Sequence, residues 1–364
     1  MAEGPPSHVV PVDALRDLVG RMFAASGCSV EEAERVARFL VSANLAGHDS
    51  HGVIRVPRYV EWLRDGLVFA GKSISIVTET PTHAVVDGNV GLGQTIGMQA
   101  VDLGIGKARA SGMAVIALRN SGHIGRIGDW AERAGAAGLV SIHFVNVAKG
   151  EIVAPFGGVD RRFGTNPVCI GIPGEAGAPM LLLDFATSMV AEGKVLVASN
   201  GGKKLPDGAL IAPDGTLSAD PVTLYGTLES GQRNPGNGAG ALRTFGDHKG
   251  SGLAFMCEIL AGCFTGGATS GPVAGKRGGI TNGMLSFYLD PDHFGSRHFV
   301  AEARAYADYV KRARPAEQGG EVLLPGEPEA RTRAARLRDG VPLQVDTWAA
   351  ILKTAAGLGV AAPM

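Results

Sequence analysis

Residues 83–120, HAVVDGNVGLGQTIGMQAVDLGIGKARASGMAVIALRN, decide what kind of α/β protein this chain can be. HAVVDG and MAVIAL have the β-branched and apolar make-up of strands, and the Ala/Gly-rich stretch between them has that of a helix. A strand followed by Gly91-Leu92-Gly93-Gln94-Thr95-Ile96-Gly97 at a helix start is also how a dinucleotide-binding turn looks, because glycines let a pyrophosphate approach the helix N-terminus. Two features argue against that reading. The third glycine falls one position late, and MAVIALRNSG ends without the carboxylate that would hold a ribose. The segment therefore reads as a helix start with close packing and not as a Rossmann fingerprint.

Working outward, the runs SISIVT (73–78), LVSIHFVN (139–146), PVCIGI (167–172) and MLLLDF (180–185) read as further strands, with helical stretches at 94–110 and 125–137. The first seventy or so residues are helical in pattern. Asp13 is placed to cap a helix running to Ala25, and Ser29 with Glu32 makes a capping box for a second one ending near Ala46. The polar string Gly47-His48-Asp49-Ser50-His51-Gly52 follows, before a short amphipathic segment over 55–64. Residues 198–240 are turn-rich and read as surface loops, and helical periodicity returns at 250–265, 298–313, 328–339 and 346–357. The expected organisation is a helical domain made of 1–72 plus 298–364, and an α/β body over 73–297.

The chain has 364 residues, 45% hydrophobic and 19% charged, which suits a packed globular protein and excludes a mostly disordered one. Lys plus Arg is 34 against 35 for Asp plus Glu, so no overall field draws the protein to nucleic acid or to an anionic membrane. A small molecule is the expected partner. No run approaches ~18 apolar residues, so no membrane span is expected. Cys28, Cys169, Cys257 and Cys263 include no CxxC pair, and no basic region followed by an apolar run opens the chain, which reads as cytoplasmic with free thiols.

Chemistry concentrates on histidines. His48, His51, His123 and His248 lie in polar, glycine-flanked strings that leave an imidazole accessible, and an imidazole near its usual pKa exchanges a proton at neutral pH. Arg55 follows His51 by four residues and has the planar fork that grips a carboxylate in two places. His51 is favoured as proton carrier because Ser50 and Arg55 lie beside it. Arg126, with the N-terminus of the helix after it, could instead face a pyrophosphate. Asp184-Phe185-Ala186 closes a strand, Lys194 follows it, and His248-Lys249 opens another helix. A metal-dependent hydrolase using His48 and His51 is an alternative, although the pair lacks an HExxH arrangement and a third ligand. A non-enzymatic binding module could use Arg331, Arg333, Arg336 and Arg338, which read more simply as a solvated helix face or subunit contact. The stretch 271–276 resembles a phosphate loop but is one residue short, with Arg277 where a hydroxyl is needed, and reads as a loop.

Six strings taken together carry a resemblance: GHDSHGVIRVPRY (47–59), NSGHIGRIGDWAERA (120–134), FGTNPVCIGIPG (163–174), LLLDFATSMVAEGK (181–194), HKGSGLAFMCEILAG (248–262) and LLPGEPE (323–329). They resemble the malate, L-lactate and sulfolactate dehydrogenase family that lacks a classical Rossmann domain, above all its bacterial hydroxycarboxylate dehydrogenase branch. The resemblance covers nearly the whole chain, in order. It implies a homodimer with a family-specific α/β fold, NAD or NADP in an extended cleft, no metal, and a small 2-hydroxy or 2-oxo acid as substrate. It further implies that His51, with Ser50 beside it, is a catalytic acid/base or nicotinamide-side residue and that Arg55 binds the substrate carboxylate. His123 matches a histidine that other members use as proton acceptor, and Ile124, Gly125 and Arg126 line the cofactor with it. Asp184, Phe185 and Ala186 match a cofactor-binding triplet, His248 and Lys249 a cofactor contact, Thr165 a substrate contact, and Pro325, Gly326 and Glu327 a late cofactor loop. Lys194, grouped with the catalytic candidates, stands where the imine-reducing branch has an aspartate, and lysine matches the hydroxyacid branches.

Overall fold

A computed structural model describes residues 7–175, 179–199, 203–227, 235–271, 281–296 and 298–362. In chain order, β1 (Ser7–Val10), α1 (Val12–Ala25) and α2 (Val30–Leu45) lead into two 3₁₀ turns, Asp49–His51 and Val53–Arg55, and then α3 (Val56–Arg64). The body follows as β2 (Ser75–Glu79), β3 (His83–Asp87), α4 (Gly93–Ser111), β4 (Met113–Ser121), α5 (Gly128–Ala136), β5 (Val140–Ala148), β6 (Val168–Pro173) and β7 (Pro179–Phe185). Next come α6 (Glu192–Ser199), β8 (Leu210–Ile211), β9 (Leu217–Ser218), α7 (Val222–Tyr225), β10 (Ala241–Leu242), α8 (His248–Cys257) with a π turn Glu258–Cys263, and β11 (Thr281–Leu289). The chain ends in α9 (Phe299–Lys311), α10 (Glu327–Asp339), β12 (Val341–Gln344) and α11 (Val345–Gly357).

The 83–120 unit is the one parallel pair of a mixed seven-stranded sheet, in the order β2-β3-β4-β11-β5-β6-β7. Its glycines are spaces the protein itself occupies. A Cβ on Gly93 would lie 2.1 Å from the carbonyl oxygen of His123, and one on Gly97 would lie 2.6 Å from the Trp130 ring. Helix α4 thereby sits directly against the loop that carries His123. β11, antiparallel to both β4 and β5, is the centre of the sheet. The strand runs legible in the sequence do not include it, because its identity depends on partners far upstream and not on its own neighbours.

Three apolar cores hold the elements. Leu15, Phe23, Val36, Leu40 and Tyr59 pack with Val341 and Ile351, and β1 pairs antiparallel with β12, so both ends of the chain share one core. Ile96, Leu118, Trp130 and Tyr288 fill the space between sheet, α4 and α5. Val153, Val195, Leu210, Tyr225 and Leu242 form a third core. That third core corrects the surface-loop reading of 198–240. Within its described part, β8 and β9 pair and join β10 just beyond it in a small sheet, and Leu210 and Leu224 are buried.

Two helix starts also differ from expectation. Pro11 occupies the cap position of α1, and Asp13 lies within the first turn, paired with Arg16. Ser29 does cap α2, accepting from the Glu32 N–H at 3.2 Å. Glu32 is buried and its carboxylate accepts from Gly71 N–H and Thr95 Oγ1 instead of closing the box. All four cysteines are free, three of them buried. Among the described residues no helix is long and apolar enough to cross a membrane. The phosphate-loop-like residues 272–277 lie outside the described residues.

Candidate active site

The polar string after α2 is held by that helix's own end. Asn44 donates to Asp49 Oδ1 at 2.6 Å and accepts from the Val53 N–H at 2.8 Å, while Arg336 of α10 grips both Asp49 oxygens. A Cβ on Gly52 would fall 2.1 Å from the Asn44 side chain, so only glycine fits there. The resulting tight turns put Ser50, His51 and Arg55 on one wall. Ser50 Oγ lies 3.0 Å from His51 Nδ1, and Arg55 Nε donates to the Ser50 carbonyl at 2.6 Å.

The opposite wall is the loop after β4. His123 stacks on His51 with ring centroids 5.6 Å apart and planes 8° from parallel. Two histidines read from distant strings thus meet face to face. The Tyr59 hydroxyl lies 2.5 Å from His123 Nδ1 and donates to the His123 carbonyl at 3.4 Å, while accepting from Gln94 Nε2 at 3.4 Å. The direction of the short contact follows the tautomer of His123: where Nδ1–H donates to Tyr59, Nε2 carries the lone pair. Tyr59 is missed by sequence reasoning, although it lies one helical turn from Arg55, at the spacing of one helix face.

Burial and then the facing imidazole and Arg55 push the His51 pKa well below its usual value. Burial followed by Arg55 lowers His123 to about 3. Both imidazoles are therefore neutral at pH 7, the state a base requires. Arg55 also meets Glu192 of α6, with Nη2 3.2 Å from Oε2. Gly193 packs on Ser50, and Lys194 follows it, exposed on the same helix.

Arg126 calls for a correction. Its side chain is 0% exposed, 3.0 Å from Asp129 and 2.9 Å from Glu132, with Nε 3.8 Å from Asp184. Burial opposes its charge, but these three carboxylates outweigh burial and hold the guanidinium more firmly protonated than usual. The Gly128 N–H at the start of α5 is likewise taken by Asp184 Oδ2 at 2.8 Å. The anion at this helix start is the protein's own, so the pyrophosphate reading of Arg126 does not hold.

The remaining candidates gather along the β7 edge. The Thr165 carbonyl accepts from Thr187 N–H and Oγ1, directly after Asp184-Phe185-Ala186, and Thr187 in turn accepts from Phe245 N–H. Phe185 and Phe245 meet edge to face at 5.5 Å. His248 and Lys249 start α8 from an exposed turn whose Asp247 is held at φ +54 by Arg243, a strained backbone of the kind found beside binding sites. Pro325 accepts from the Leu182 N–H of β7 at 3.1 Å, Gly326 (φ +93) needs its glycine to lie against Leu182, and Glu327 pairs with Lys311. His48 sits between Asp184 and Glu329, at 4.0 and 3.4 Å, and so serves a different contact from His51. Among the described residues no group of three His, Cys, Asp or Glu side chains could hold a metal ion. The arginines of α10 face carboxylates, Arg331 with Glu321, Arg333 with Glu132, Arg336 with Asp49 and Arg338 with Asp339.

The donor set suits a dinucleotide better than a metal. The exposed cationic start of α8 is fit for phosphates, and the paired imidazoles and Arg55 are fit for an anion that exchanges a proton. This fold and site define a class of α/β proteins with a histidine-arginine cleft and no Rossmann turn. The chain belongs to the malate/L-lactate dehydrogenase family, whose model matches residues 10–352. It is 41% identical over 355 residues to hydroxycarboxylate dehydrogenase B of Escherichia coli K12, covering 97% of this chain and 95% of that protein. The solved malate dehydrogenase of Pyrococcus horikoshii OT3 superposes with a TM-score of 0.86 at 29% identity, covering 100% of this chain and 99% of that one. Sulfolactate dehydrogenase from Methanocaldococcus jannaschii gives 0.83 at 32% identity, with 97% and 98% covered.

Proposed function

We propose that the protein is an NAD(P)-dependent dehydrogenase that interconverts a small 2-hydroxycarboxylate and its 2-oxo acid. The observation that carries this is the stacked His51–His123 pair with Arg55 on the same wall, in a chain of the malate/L-lactate dehydrogenase family. Arg55 holds the substrate carboxylate. In place of His51, which the sequence favoured, His123 Nε2 takes the hydroxyl proton as the 2-hydroxy acid is oxidised, in the tautomer whose Nδ1–H donates to Tyr59, and His51 with Ser50 lines the other side. Bound NAD or NADP supplies the hydride carrier, with Asp184, Phe185, Ala186, His248, Lys249 and the loop Pro325-Gly326-Glu327 holding it.

Free imidazole is neutral, so its lone pair is open to a proton. Burial, the larger cause of the depression, makes it a weak base, and a substrate carboxylate on Arg55 offsets the smaller cause and raises its basicity. Phe255, Met256 and Ile259 are exposed along one face of α8 and its π turn, with Phe264 and Phe156 also exposed, an apolar surface suited to a homodimer. The free cysteines agree with a cytoplasmic setting.

The test is a panel of 2-oxo acids assayed with NADH and with NADPH, after exhaustive EDTA. Turnover that survives EDTA, together with thermal protection by the nucleotide, is the expected result. Activity that vanishes with EDTA and returns with zinc would replace this reading with a metal-dependent one.

A further inference from the structure

Glu192, at the first position of α6, occupies part of the group that the proposed reaction needs for its substrate. Its Oε2 lies 3.2 Å from Arg55 Nη2, with the two side chains 18% and 27% exposed. The carboxylate is also pinned from behind, because the buried Tyr225 hydroxyl donates to Oε1 at 2.6 Å. The helix itself has little room to retreat towards the histidines. A Cβ on Gly193 would lie 2.2 Å from Ser50 Cβ, so α6 is already in contact with the turn that carries His51. Lys194, two residues on, projects from a different side of the helix, since positions i and i+2 do not share a face.

We propose that Glu192 is a specificity-determining residue, restricting the site to 2-oxo and 2-hydroxy monocarboxylates whose remaining part carries no second negative charge. The inference rests on the reading of Arg55 as carboxylate anchor. Arg55 and Glu192 are together neutral, and Arg55 Nε is already engaged by the Ser50 carbonyl. One substrate carboxylate can share the guanidinium. A second carboxylate on a short carbon chain stays within a few bond lengths of Glu192, where like charges in a half-buried setting are separated by too little water to be screened. A methyl group in its place meets no such repulsion. Tyr225 makes the effect strong, because a pinned carboxylate cannot swing away as an exposed one would.

The experiment compares kcat/KM for 2-oxobutyrate and oxaloacetate, which differ by a methyl against a carboxylate, in the wild type and in Glu192→Gln, Glu192→Asp, Tyr225→Phe and Arg55→Ala. Glu192→Gln keeps the size and a hydrogen-bond acceptor but removes the charge, and should move the ratio about tenfold towards oxaloacetate. Glu192→Asp keeps the charge and should keep most of the discrimination. If Glu192→Gln fails to fold, Tyr225→Phe, which frees the carboxylate, should move the ratio about threefold in the same direction. A ratio unchanged in both Glu192→Gln and Tyr225→Phe overturns the proposal, as does an equal shift in Glu192→Gln and Glu192→Asp. Arg55→Ala separates the two readings: unchanged KM for both acids refutes the anchor, whereas raised KM with no Glu192→Gln effect refutes Glu192 alone.

Discussion

Two polar clusters of similar sequence character reach opposite ends. GHDSHGVIR and SGHIGRIGD are both glycine-flanked strings with histidine and arginine. In the first, Arg55 keeps 27% of its side chain exposed and Ser50 meets one ring nitrogen of His51. In the second, Tyr59 meets one ring nitrogen of His123, while Arg126 is buried against Asp129, Glu132 and Asp184 with nothing exposed. A charge left half-open is available to a ligand, while one closed by carboxylates fixes a helix start against a strand. The difference is one of partners and not of composition.

The comparison breaks first at the histidines. His123→Asn should lower kcat by roughly 10²–10⁴-fold and remove the pH dependence of turnover, whereas His51→Asn should mainly weaken substrate or nucleotide binding. If His51→Asn loses kcat and His123→Asn keeps it, the roles exchange. NADH fluorescence titration of both variants separates binding from chemistry.

Next come the two arginines. Arg126→Ala leaves buried carboxylates without a cation and should destabilise the fold by about 3–5 kcal/mol, seen as a lower denaturation midpoint. Arg55→Ala should leave the midpoint nearly unchanged and raise KM for the oxo acid through loss of about 2 kcal/mol of binding. Arg55→Lys should recover little, because an ammonium lacks the planar fork. Equal stability losses in Arg55→Ala and Arg126→Ala would erase the distinction between the open and the closed cluster.

Tyr59→Phe sharpens the comparison further. Removing the hydroxyl that meets His123 Nδ1 should cost about 1 kcal/mol in transition-state stabilisation, with KM little changed. A loss confined to KM would make Tyr59 a substrate contact and not a support for the imidazole.

Acid pH tests the burial of the imidazoles. Burial holds His123 and the sheet residue His143 at about 3, against ~6.5 when unfolded. The unfolded chain binds more protons between those values, so stability is fully present above ~6.5 and falls as pH drops, by at most ~1.4 kcal/mol per pH unit for each histidine. Asp129, pushed up to about 6 by burial, works the other way between ~4 and 6 and partly offsets this. His143→Asn should flatten the dependence of the melting temperature on pH below 6.5. An unchanged slope would place the acid sensitivity elsewhere.

The amino-acid sequence by itself determined the helix and strand runs of the βαβ unit, the absence of a Rossmann turn, the start of α2 at Ser29 and the strings that hold the histidines. Those follow from periodicity, caps and glycine placement, which involve residues a few positions apart. Only the tertiary structure decided that β11 lies at the centre of the sheet, that Leu205, Leu210, Leu224 and Leu242 join a third core, and that His51 stacks on His123. It also decided that Arg126 is closed while Arg55 is shared with Glu192. These outcomes depend on which distant partner meets each group and on how much water the meeting excludes. Neither is a property of a residue's neighbours in the chain, because partner choice is settled by loop closure and burial over the whole fold.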